Sequence, residues 1–266
     1  RDMKSVIYYF TGTGNTLAVA RDLAQELGDT KLIPLRRAIS PGGISVDADV
    51  VGIAFPVYFL NLPDIVRQFV QQVRFSGSPY IFGIATCGEQ PGPALFRLKE
   101  LLEENGKTLS AGFAFVMPEN YIGPVNLMND ESRAQEKFDG AKNRIPDIVA
   151  AIRGRNVSVP EGSDTQILRI GGRIAHAFTT SVYNTPRRLH ATDACNRCGT
   201  CSRICPTRNI SVTGDSVKWG SDCTQCYACI HWCPKEAVQI GGRTRGRRRY
   251  HHPDVTVKDM LEQRGE

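Results

Sequence analysis

Long hydrophobic runs are missing from this chain of 266 residues. No window approaches the roughly 18 to 20 uncharged apolar residues that a membrane-spanning helix needs. The first residues run early into a glycine-containing loop and lack the small-residue cleavage site of a secretory signal peptide. The sequence therefore predicts no membrane span and a cytoplasmic location.

Cysteine is almost absent from most of the chain, since Cys87 is the only one among the first 194 residues. The other eight lie between Cys195 and Cys233. Disulfides are rare in a reducing compartment. A cytoplasmic cysteine cluster of this kind therefore indicates metal binding rather than cross-linking.

Short apolar segments alternate with amphipathic ones through the first 117 residues, and one long amphipathic segment follows. Strands are predicted at residues 4–10, 31–35, 50–55, 80–86 and 110–117. Helices are predicted at residues 15–27, 63–73, 94–104 and 131–152. Five strands that alternate with helices predict a doubly wound parallel α/β sheet with right-handed crossovers.

Changes of composition divide the chain into four predicted parts. They are a sheet domain at residues 1–153, a connecting region at 154–189, a cysteine-rich domain at 190–242 and a basic tail at 243–266. Within the connecting region we expect a helix around residues 174–183.

The cysteine-rich domain contains an internal repeat. The segment CNRCGTCSRICP begins at Cys195, and CTQCYACIHWCP begins 28 residues later at Cys223. Both copies have the C-x2-C-x2-C-x3-C-P spacing that binds [4Fe–4S] clusters. Structural zinc is the alternative, because two C-x2-C pairs can hold one tetrahedral ion, but zinc would leave four thiols unused.

This repeat resembles the bacterial two-cluster ferredoxins over residues 190–242, and a small α+β domain is the fold that the resemblance implies. In that family the fourth cysteine of each copy binds the cluster of the other copy. The resemblance implies one cluster held by Cys195, Cys198, Cys201 and Cys233. It implies a second cluster held by Cys223, Cys226, Cys229 and Cys205.

A second motif lies where the first predicted strand meets the first predicted helix. Its residues are Thr11, Gly12, Thr13, Gly14, Asn15 and Thr16. Backbone amides, threonine hydroxyls and a helix N-terminus favour an anion such as phosphate. No lysine follows the glycines, which argues against a P-loop, and Leu17 replaces the third glycine of the dinucleotide pattern. Arg36 and Arg37 leave an NADP site open, and a glycine turn without a ligand is a further alternative.

The sequence TGTGNT after the first strand resembles the phosphate loop of flavodoxins, which bind FMN. The resemblance covers residues 3–152 and implies a flavodoxin-like five-stranded sheet with the flavin ring at its strand ends. The ring-contacting positions that it implies are Pro56, Val57 and Tyr58 in one loop and Thr86, Cys87 and Gly88 in another. Tyr121, past the last strand, is a candidate to cover the ring.

Taken whole, the chain resembles the fused flavodoxin–ferredoxin proteins of anaerobes, which implies FMN and two [4Fe–4S] clusters as cofactors. The first hypothesis is an electron-transfer protein that passes single electrons between a low-potential donor, the clusters and FMN. One alternative is an oxidoreductase that uses these cofactors to reduce a bound small molecule. Another is a redox or oxygen sensor. No proton-donating motif is recognisable near the flavin loops, which favours the first hypothesis.

The basic tail carries Arg243, Arg245, Arg247, Arg248 and Arg249. Such a run binds acidic surfaces or nucleic acid, stays in solvent, or folds against its own chain. No nucleic-acid-binding signature accompanies it, so we expect no nucleic-acid partner and favour an acidic redox partner. The net charge of +6 is compatible with this, because two clusters and a phosphate would add negative charge.

Overall fold

The computed structural model describes residues 3–39, 42–123, 125–178, 181 and 185–265. The strands are β1 (Ser5–Tyr9), β2 (Thr30–Pro34), β3 (Ile44–Val46), β4 (Val50–Pro56), β5 (Val73–Phe75), β6 (Tyr80–Cys87), β7 (Ala111–Val116), β8 (Leu189–Ala191), β9 (Ile210–Val212), β10 (Val217–Trp219) and β11 (Val238–Ile240). The helices are α1 (Asn15–Leu27), α2 (Leu35–Ala38), α3 (Asp64–Gln72), α4 (Ala94–Glu104), α5 (Glu131–Arg153), α6 (Gln166–Ala177), α7 (Thr185–Arg188), α8 (Thr200–Ile204), α9 (Ala228–His231) and α10 (Val257–Arg264).

Five parallel strands form the main sheet in the order β2-β1-β4-β6-β7. Numbered along the chain within this sheet, the order is 2-1-3-4-5, which is that of the flavodoxin-like doubly wound fold. The prediction of that fold for the first half of the chain is confirmed. The central strands are buried along almost their whole length, because helices cover both faces.

Two apolar cores lie against the opposite faces of this sheet. One contains Ile7 and Tyr9 with residues of α1 and α5, and the other contains Val6, Tyr8 and Phe10 with residues of α3 and α4. Successive side chains of a strand point to opposite faces, so β1 feeds both cores in alternation. The strand ends, and the loops that follow them, are thereby held in fixed positions.

The cysteine-rich part repeats itself in structure as well as in sequence. The first copy provides β8, α8 and β9, and the second provides β10, α9 and β11. Each element of the second copy begins 28 residues after its counterpart in the first. Antiparallel pairing joins β9 to β10 and β8 to β11, so the first and last strands of the unit meet.

Residues 243–265 form a C-terminal segment that returns to the sheet domain. The segment ends in α10, whose first turn has a capping box made by Thr256 and Asp259. Val255 and Met260 are buried in the core that contains α1 and α5. The basic run that the sequence leaves as a tail thus belongs to a segment that is folded against the rest of the chain.

The elements predicted in the first 153 residues agree with the observed ones to within one residue at each end. The helix expected around residues 174–183 begins earlier, because α6 spans Gln166–Ala177. Its N-cap is Thr165, whose Oγ1 accepts a hydrogen bond of 3.3 Å from the Leu168 amide. Residue 183 lies outside the described residues. Among the residues that are described, no helix is both long and apolar enough to cross a membrane.

Candidate functional site

A cavity of about 430 Å³, called the large cavity below, opens at the carboxyl ends of β4 and β6. Its lining comes from residues 57–60 after β4, residues 87–90 at the end of β6 and residues 119–121 after β7. The rest of the wall comes from the second cysteine copy, from the end of α6 with Phe178 after it, and from Val125 and Leu127. Doubly wound sheets bind their ligands outside the carboxyl ends of the strands, so this is the expected edge.

Most residues predicted to contact a flavin ring line the large cavity. They are Val57, Tyr58, Cys87, Gly88 and Tyr121. Pro56 and Thr86 are not part of the lining, and they pair with each other within β4 and β6. The sequence pattern therefore located both loops, and each reaches the cavity from one residue later than predicted.

The hydroxyl of Tyr58 is buried and has no hydrogen-bond partner among the described residues. Burial raises the pKa of this phenol well above its usual range. The side-chain oxygen Oε1 of Gln225, another lining residue, is also buried without a described partner. Unpaired buried polar atoms are costly, so these two atoms mark places where the polar edge of a ligand would be stabilising.

The predicted phosphate loop, residues 11–16, connects β1 to α1 and is buried along its whole length. Gly14 is the N-cap of α1 and lies in the left-handed region with φ of 102°, and no side chain caps the helix. None of the six residues belongs to the lining of the large cavity. The loop is joined to the cavity by Asn120, a lining residue whose Nδ2 donates to Thr13 Oγ1 at 2.6 Å.

The donor groups of this loop fit a phosphate. The amides of Gly12, Thr13, Asn15 and Thr16 make no hydrogen bond to any described protein atom. They surround the N-terminus of a helix of 13 residues. Unpaired amides and the positive end of the helix dipole together stabilise an anion.

Glu119 is a lining residue that the sequence did not reveal. Its carboxyl lies so close to Gly88 that a side chain on Gly88 would overlap it. Burial raises the pKa of Glu119, while backbone hydrogen bonds from Tyr121 and Asn120 act in the opposite direction. A partly buried carboxyl group at a ligand cavity is a candidate proton donor.

Lys137, under the same loop, was also missed. Its Nζ donates to the carbonyl of Gly88 at 2.5 Å, to Glu89 Oε1 at 2.8 Å and to Asn129 Oδ1 at 3.0 Å. These contacts lower the pKa of Glu89 through the hydrogen bond and the positive charge. A signal existed in the sequence, because Lys137 interrupts the buried stripe of α5 at a position where an apolar residue is expected.

The eight clustered cysteines line two further cavities. Cys195, Cys198, Cys201 and Cys233 line the outer cavity, named for the exposed Cys198. Cys205, Cys223, Cys226 and Cys229 line the inner cavity. Each cavity thus combines three cysteines of one copy with the fourth cysteine of the other.

The backbone around the first cysteine of each copy is also repeated. Arg197 and Gln225 occupy equivalent positions and have left-handed φ values of 57° and 55°. Their amides donate to the sulfur atoms of Cys195 and Cys223, each at 3.4 Å. A conformation that is unfavourable for these residue types is therefore used twice to aim an amide at a sulfur.

A second pair of amide-to-sulfur hydrogen bonds follows the last cysteine of each copy. The amide of Asn209 donates to Cys205 Sγ at 3.4 Å, and that of Ala237 donates to Cys233 Sγ at 3.3 Å. Donors of this kind stabilise negative charge on sulfur. The arrangement therefore suits thiolate ligands.

The thiols that influence one another's pKa belong to the same two sets of four cysteines. Burial raises the pKa of Cys201 to about 11, and the thiolates that raise it further are those of Cys233, Cys195 and Cys198. Within the part of the chain that the structure describes, no three His, Cys, Asp or Glu side chains are arranged to hold one metal ion.

One wall separates the large cavity from the inner cavity. Tyr227 lines both of them, and Gln225 lines the large cavity. Between these two residues, Cys226 reaches the phosphate loop, because a Cβ added to Gly12 would lie 2.6 Å from the Cys226 carbonyl oxygen. The glycine is thus required for the close approach of the two halves of the chain.

The arginines of the C-terminal segment are partly used inside the fold. Arg247 donates to the carbonyls of Ile122 and Gly123 at 3.0 and 2.9 Å, which fixes the loop that carries Tyr121. Arg249 donates to the Val238 carbonyl at 3.1 Å. These guanidinium groups hold loops in place, so they contribute less to a docking surface than the bare sequence suggests.

Comparisons with known proteins were made for the sequence and for the fold. No family model matches the chain, and no curated protein sequence matches it. Among solved structures, the flavodoxin of Megasphaera elsdenii aligns over 53% of this chain and 98% of its own, with 17% identity and a TM-score of 0.32. An FMN-dependent NADH-azoreductase of Bacillus anthracis aligns over 55% and 99%, with 8% identity and a TM-score of 0.37.

An NAD(P)H:quinone oxidoreductase of Methanothermobacter marburgensis aligns over 56% of this chain and 98% of its own, with 12% identity and a TM-score of 0.32. Each of the three spans little more than half of this chain. Because these TM-scores are low, the assignment of the fold rests on the strand order described above.

Proposed function

We propose that this chain is an electron-transfer iron–sulfur flavoprotein, with FMN at the large cavity and one [4Fe–4S] cluster at each cysteine cavity. One observation carries the proposal, which is that Tyr227 lines both the large cavity and the inner cavity. Redox groups in these two places would be near neighbours. Single electrons would pass between a low-potential donor, the clusters and the flavin.

The flavin would be held by groups from three loops. The unpaired amides of the loop at residues 11–16 would bind its phosphate. Residues 57–58 and 87–88 would contact the ring, and the Tyr58 hydroxyl and Gln225 Oε1 would pair with its polar edge. FMN, when bound, supplies the exchange between one-electron and two-electron chemistry.

The clusters would be held by the two sets of four cysteines. The repeated amide-to-sulfur hydrogen bonds support this assignment, because such bonds are among the features that set the reduction potential of a cluster. The outer cavity includes the exposed Cys198, with the exposed Arg197 and Arg203 nearby. A donor with an acidic surface would therefore reach the outer cluster first.

Composition is the first test of the proposal. Protein purified without oxygen should contain about eight irons and about one FMN per chain, as two cubane clusters and one flavin require. Mixing it with a reduced low-potential ferredoxin in a stopped-flow instrument should bleach the cluster absorbance and the flavin absorbance. Zinc in place of iron, the absence of flavin, or a flavin that stays oxidised would contradict the proposal.

A second candidate function is reduction of a small molecule at the large cavity. The observation that favours it is the carboxyl of Glu119 at that cavity, whose pKa is raised by burial. A reductase would transfer electrons from its flavin to an organic acceptor at the rate of flavin reoxidation, and Glu119→Gln would slow this step. A pure carrier would reoxidise only with a protein acceptor and would not respond to Glu119→Gln.

A further inference from the structure

The C-terminal half of the chain binds three successive carbonyls of the phosphate loop. The carbonyl of Thr11 accepts from Gln263 Nε2 at 3.0 Å. The carbonyl of Gly12 accepts from Trp232 Nε1 at 3.0 Å, and that of Thr13 accepts from the His252 amide at 2.8 Å. No sequence motif announces these contacts, since the partners are more than 200 residues apart.

The Gln263 side chain makes two hydrogen bonds to the backbone of the loop. Its Oε1 also accepts from the Thr11 amide at 2.7 Å, so one carboxamide pairs with both backbone groups of Thr11. Gln263 is almost completely buried, with an exposed fraction of 1%. A buried carboxamide whose oxygen and nitrogen are both paired with the backbone fixes one conformation of that backbone.

Gln263 is held in place by the helix that carries it. Asp259 caps the first turn of α10 and also pairs with Arg21 of α1 at 2.5 Å. Met260, one turn before Gln263, is fully buried against the sheet domain. The position of the carboxamide is therefore set by packing and by an ion pair that do not involve the loop.

Contacts from the C-terminal segment extend to the start of α1. The hydroxyl of Tyr250 donates to Asn15 Oδ1. Any Cβ added to Gly14 would lie 2.9 Å from the Cβ atoms of both His252 and Val255. The glycine of the loop is thus needed to let the segment lie directly on it.

Clamping these carbonyls orients the amides of the loop. In a planar trans peptide the N–H points opposite to the carbonyl of the preceding residue. Carbonyls bound at Thr11 and Gly12 therefore fix the directions of the amides of Gly12 and Thr13. Those amides donate to no described protein atom, so they remain free for a ligand.

We propose that the C-terminal segment positions the loop at residues 11–16 for a phosphomonoester dianion, with Gln263 as the main positioning residue. The inference rests on the proposed function, because the phosphate belongs to the flavin assigned there. It adds that phosphate recognition depends on residues outside the sheet domain. The loop and the segment form one binding site. The loop supplies the amide donors, and the segment fixes their directions.

The test compares two flavins that differ only in the phosphate. FMN and riboflavin are titrated into the full-length, cluster-containing protein after removal of flavin, and binding is measured by quenching of flavin fluorescence. For Gln263→Leu we expect the affinity for FMN to fall by about 10- to 100-fold and that for riboflavin to change less than about threefold. Glu262→Leu, one residue away on the exposed face of α10, is the matched control and should leave both affinities unchanged.

Two further variants guard against a simple loss of folding. Gln263→Glu keeps an acceptor for the Thr11 amide but removes the donor to its carbonyl, so it should also lower the FMN-to-riboflavin affinity ratio. Tyr250→Phe removes one hydroxyl and should lower that ratio by about twofold to fivefold. Thermal melting of each variant shows whether the fold is kept.

The outcomes separate the two proposals. Wild-type protein that binds neither flavin contradicts the proposed function and this inference together. Wild-type protein that binds FMN while Gln263→Leu and Gln263→Glu keep the wild-type affinity ratio contradicts the inference alone. An equal loss for FMN and riboflavin also contradicts it, because Gln263 would then support the fold rather than the phosphate site.

Discussion

The two halves of this chain build their sites in opposite ways. In the sheet domain, the cavity residues Tyr58, Cys87 and Glu119 lie at or just after the ends of three strands, about 30 residues apart in sequence. In the cysteine-rich part, three of the four cysteines of each set lie within seven residues. A site built within one short segment can be read from spacing, whereas a site built at the ends of strands can be read only after the fold is known.

The halves also differ in how they use polar groups. The cysteine-rich part satisfies its sulfur atoms with local amides, two or four residues along the chain. In the sheet domain, backbone groups of the phosphate loop pair with residues that are distant in sequence, as Thr11 does with Gln263. We therefore expect substitutions in the cysteine-rich part to have local effects. Substitutions in the sheet domain should also affect contacts between the two halves.

The largest expected effect is loss of one cluster from the cysteine-rich part. Cys226→Ser should lower the iron content from about eight to about four per chain, because its sulfur lines the inner cavity. Cys87→Ser is the matched control in the sheet domain. Cys87 lines neither of the two cysteine cavities, so the iron content should not change. Iron and sulfide assays measure both.

The exchange of the fourth cysteine between copies sharpens this prediction. Cys205→Ser should remove the same cluster as Cys226→Ser, and Cys233→Ser should remove the other. Electron paramagnetic resonance of the reduced variants distinguishes the remaining cluster. If Cys205→Ser instead left the same signal as Cys201→Ser, the two copies would bind separately and the assignment of the cavities would be wrong.

Gly12→Ala tests the contact between the halves. The added Cβ would lie 2.6 Å from the carbonyl oxygen of Cys226, so the loop or the cysteine backbone must move. We expect the affinity for FMN to fall by about 100-fold while the iron content stays the same. Gly140→Ala, inside α5 with open space around it, should leave flavin binding unchanged and raise the melting temperature slightly. Flavin titration and calorimetry compare the two.

Lys137→Met asks whether a single buried cation holds the loop at Gly88. The substitution keeps the apolar stem and removes hydrogen bonds to the Gly88 carbonyl, Glu89 and Asn129. A partly buried carbonyl left without a donor should cost about 2 kcal/mol, or about 6 °C in melting temperature. Lys142→Met, on the exposed side of the same helix, should shift the melting temperature by less than about 1 °C. Equal shifts for the two variants would contradict a specific stabilising role of Lys137 at the Gly88 loop.

Which features could be predicted from the sequence depends on whether local or tertiary interactions determine them. The spacing of apolar residues and the turn residues located the five strands of the main sheet to within one residue, because burial on a sheet imposes that spacing locally. They did not predict the short elements α2, β3 and β5. The same reasoning placed Val57, Tyr58, Cys87 and Gly88 at one cavity. It missed Glu119, Lys137 and Gln263, whose roles come from tertiary contacts that leave only weak local patterns. It left open whether the arginine run stays in solvent or folds against its own chain, because backbone carbonyls that accept from Arg247 are invisible in a sequence.

The smallest expected effect concerns pH at His252, whose backbone amide donates to the Thr13 carbonyl of the phosphate loop. Burial lowers the pKa of His252 to about 4, from an ordinary value of 6.5. A depressed pKa means that the folded state resists protonation, so this stability is fully present above pH 6.5 and is lost as the pH falls towards 4. At pH 5.5 the loss should be about 1 kcal/mol.

The variant His252→Asn tests this. In the wild type the Asp254 amide donates to His252 Nδ1 at 3.2 Å; the asparagine keeps an acceptor for that amide and takes up no proton. Its melting temperature should therefore fall less between pH 7.5 and pH 5.5 than that of the wild type. Parallel pH dependences would contradict the prediction, because stability would then not depend on a neutral imidazole at His252.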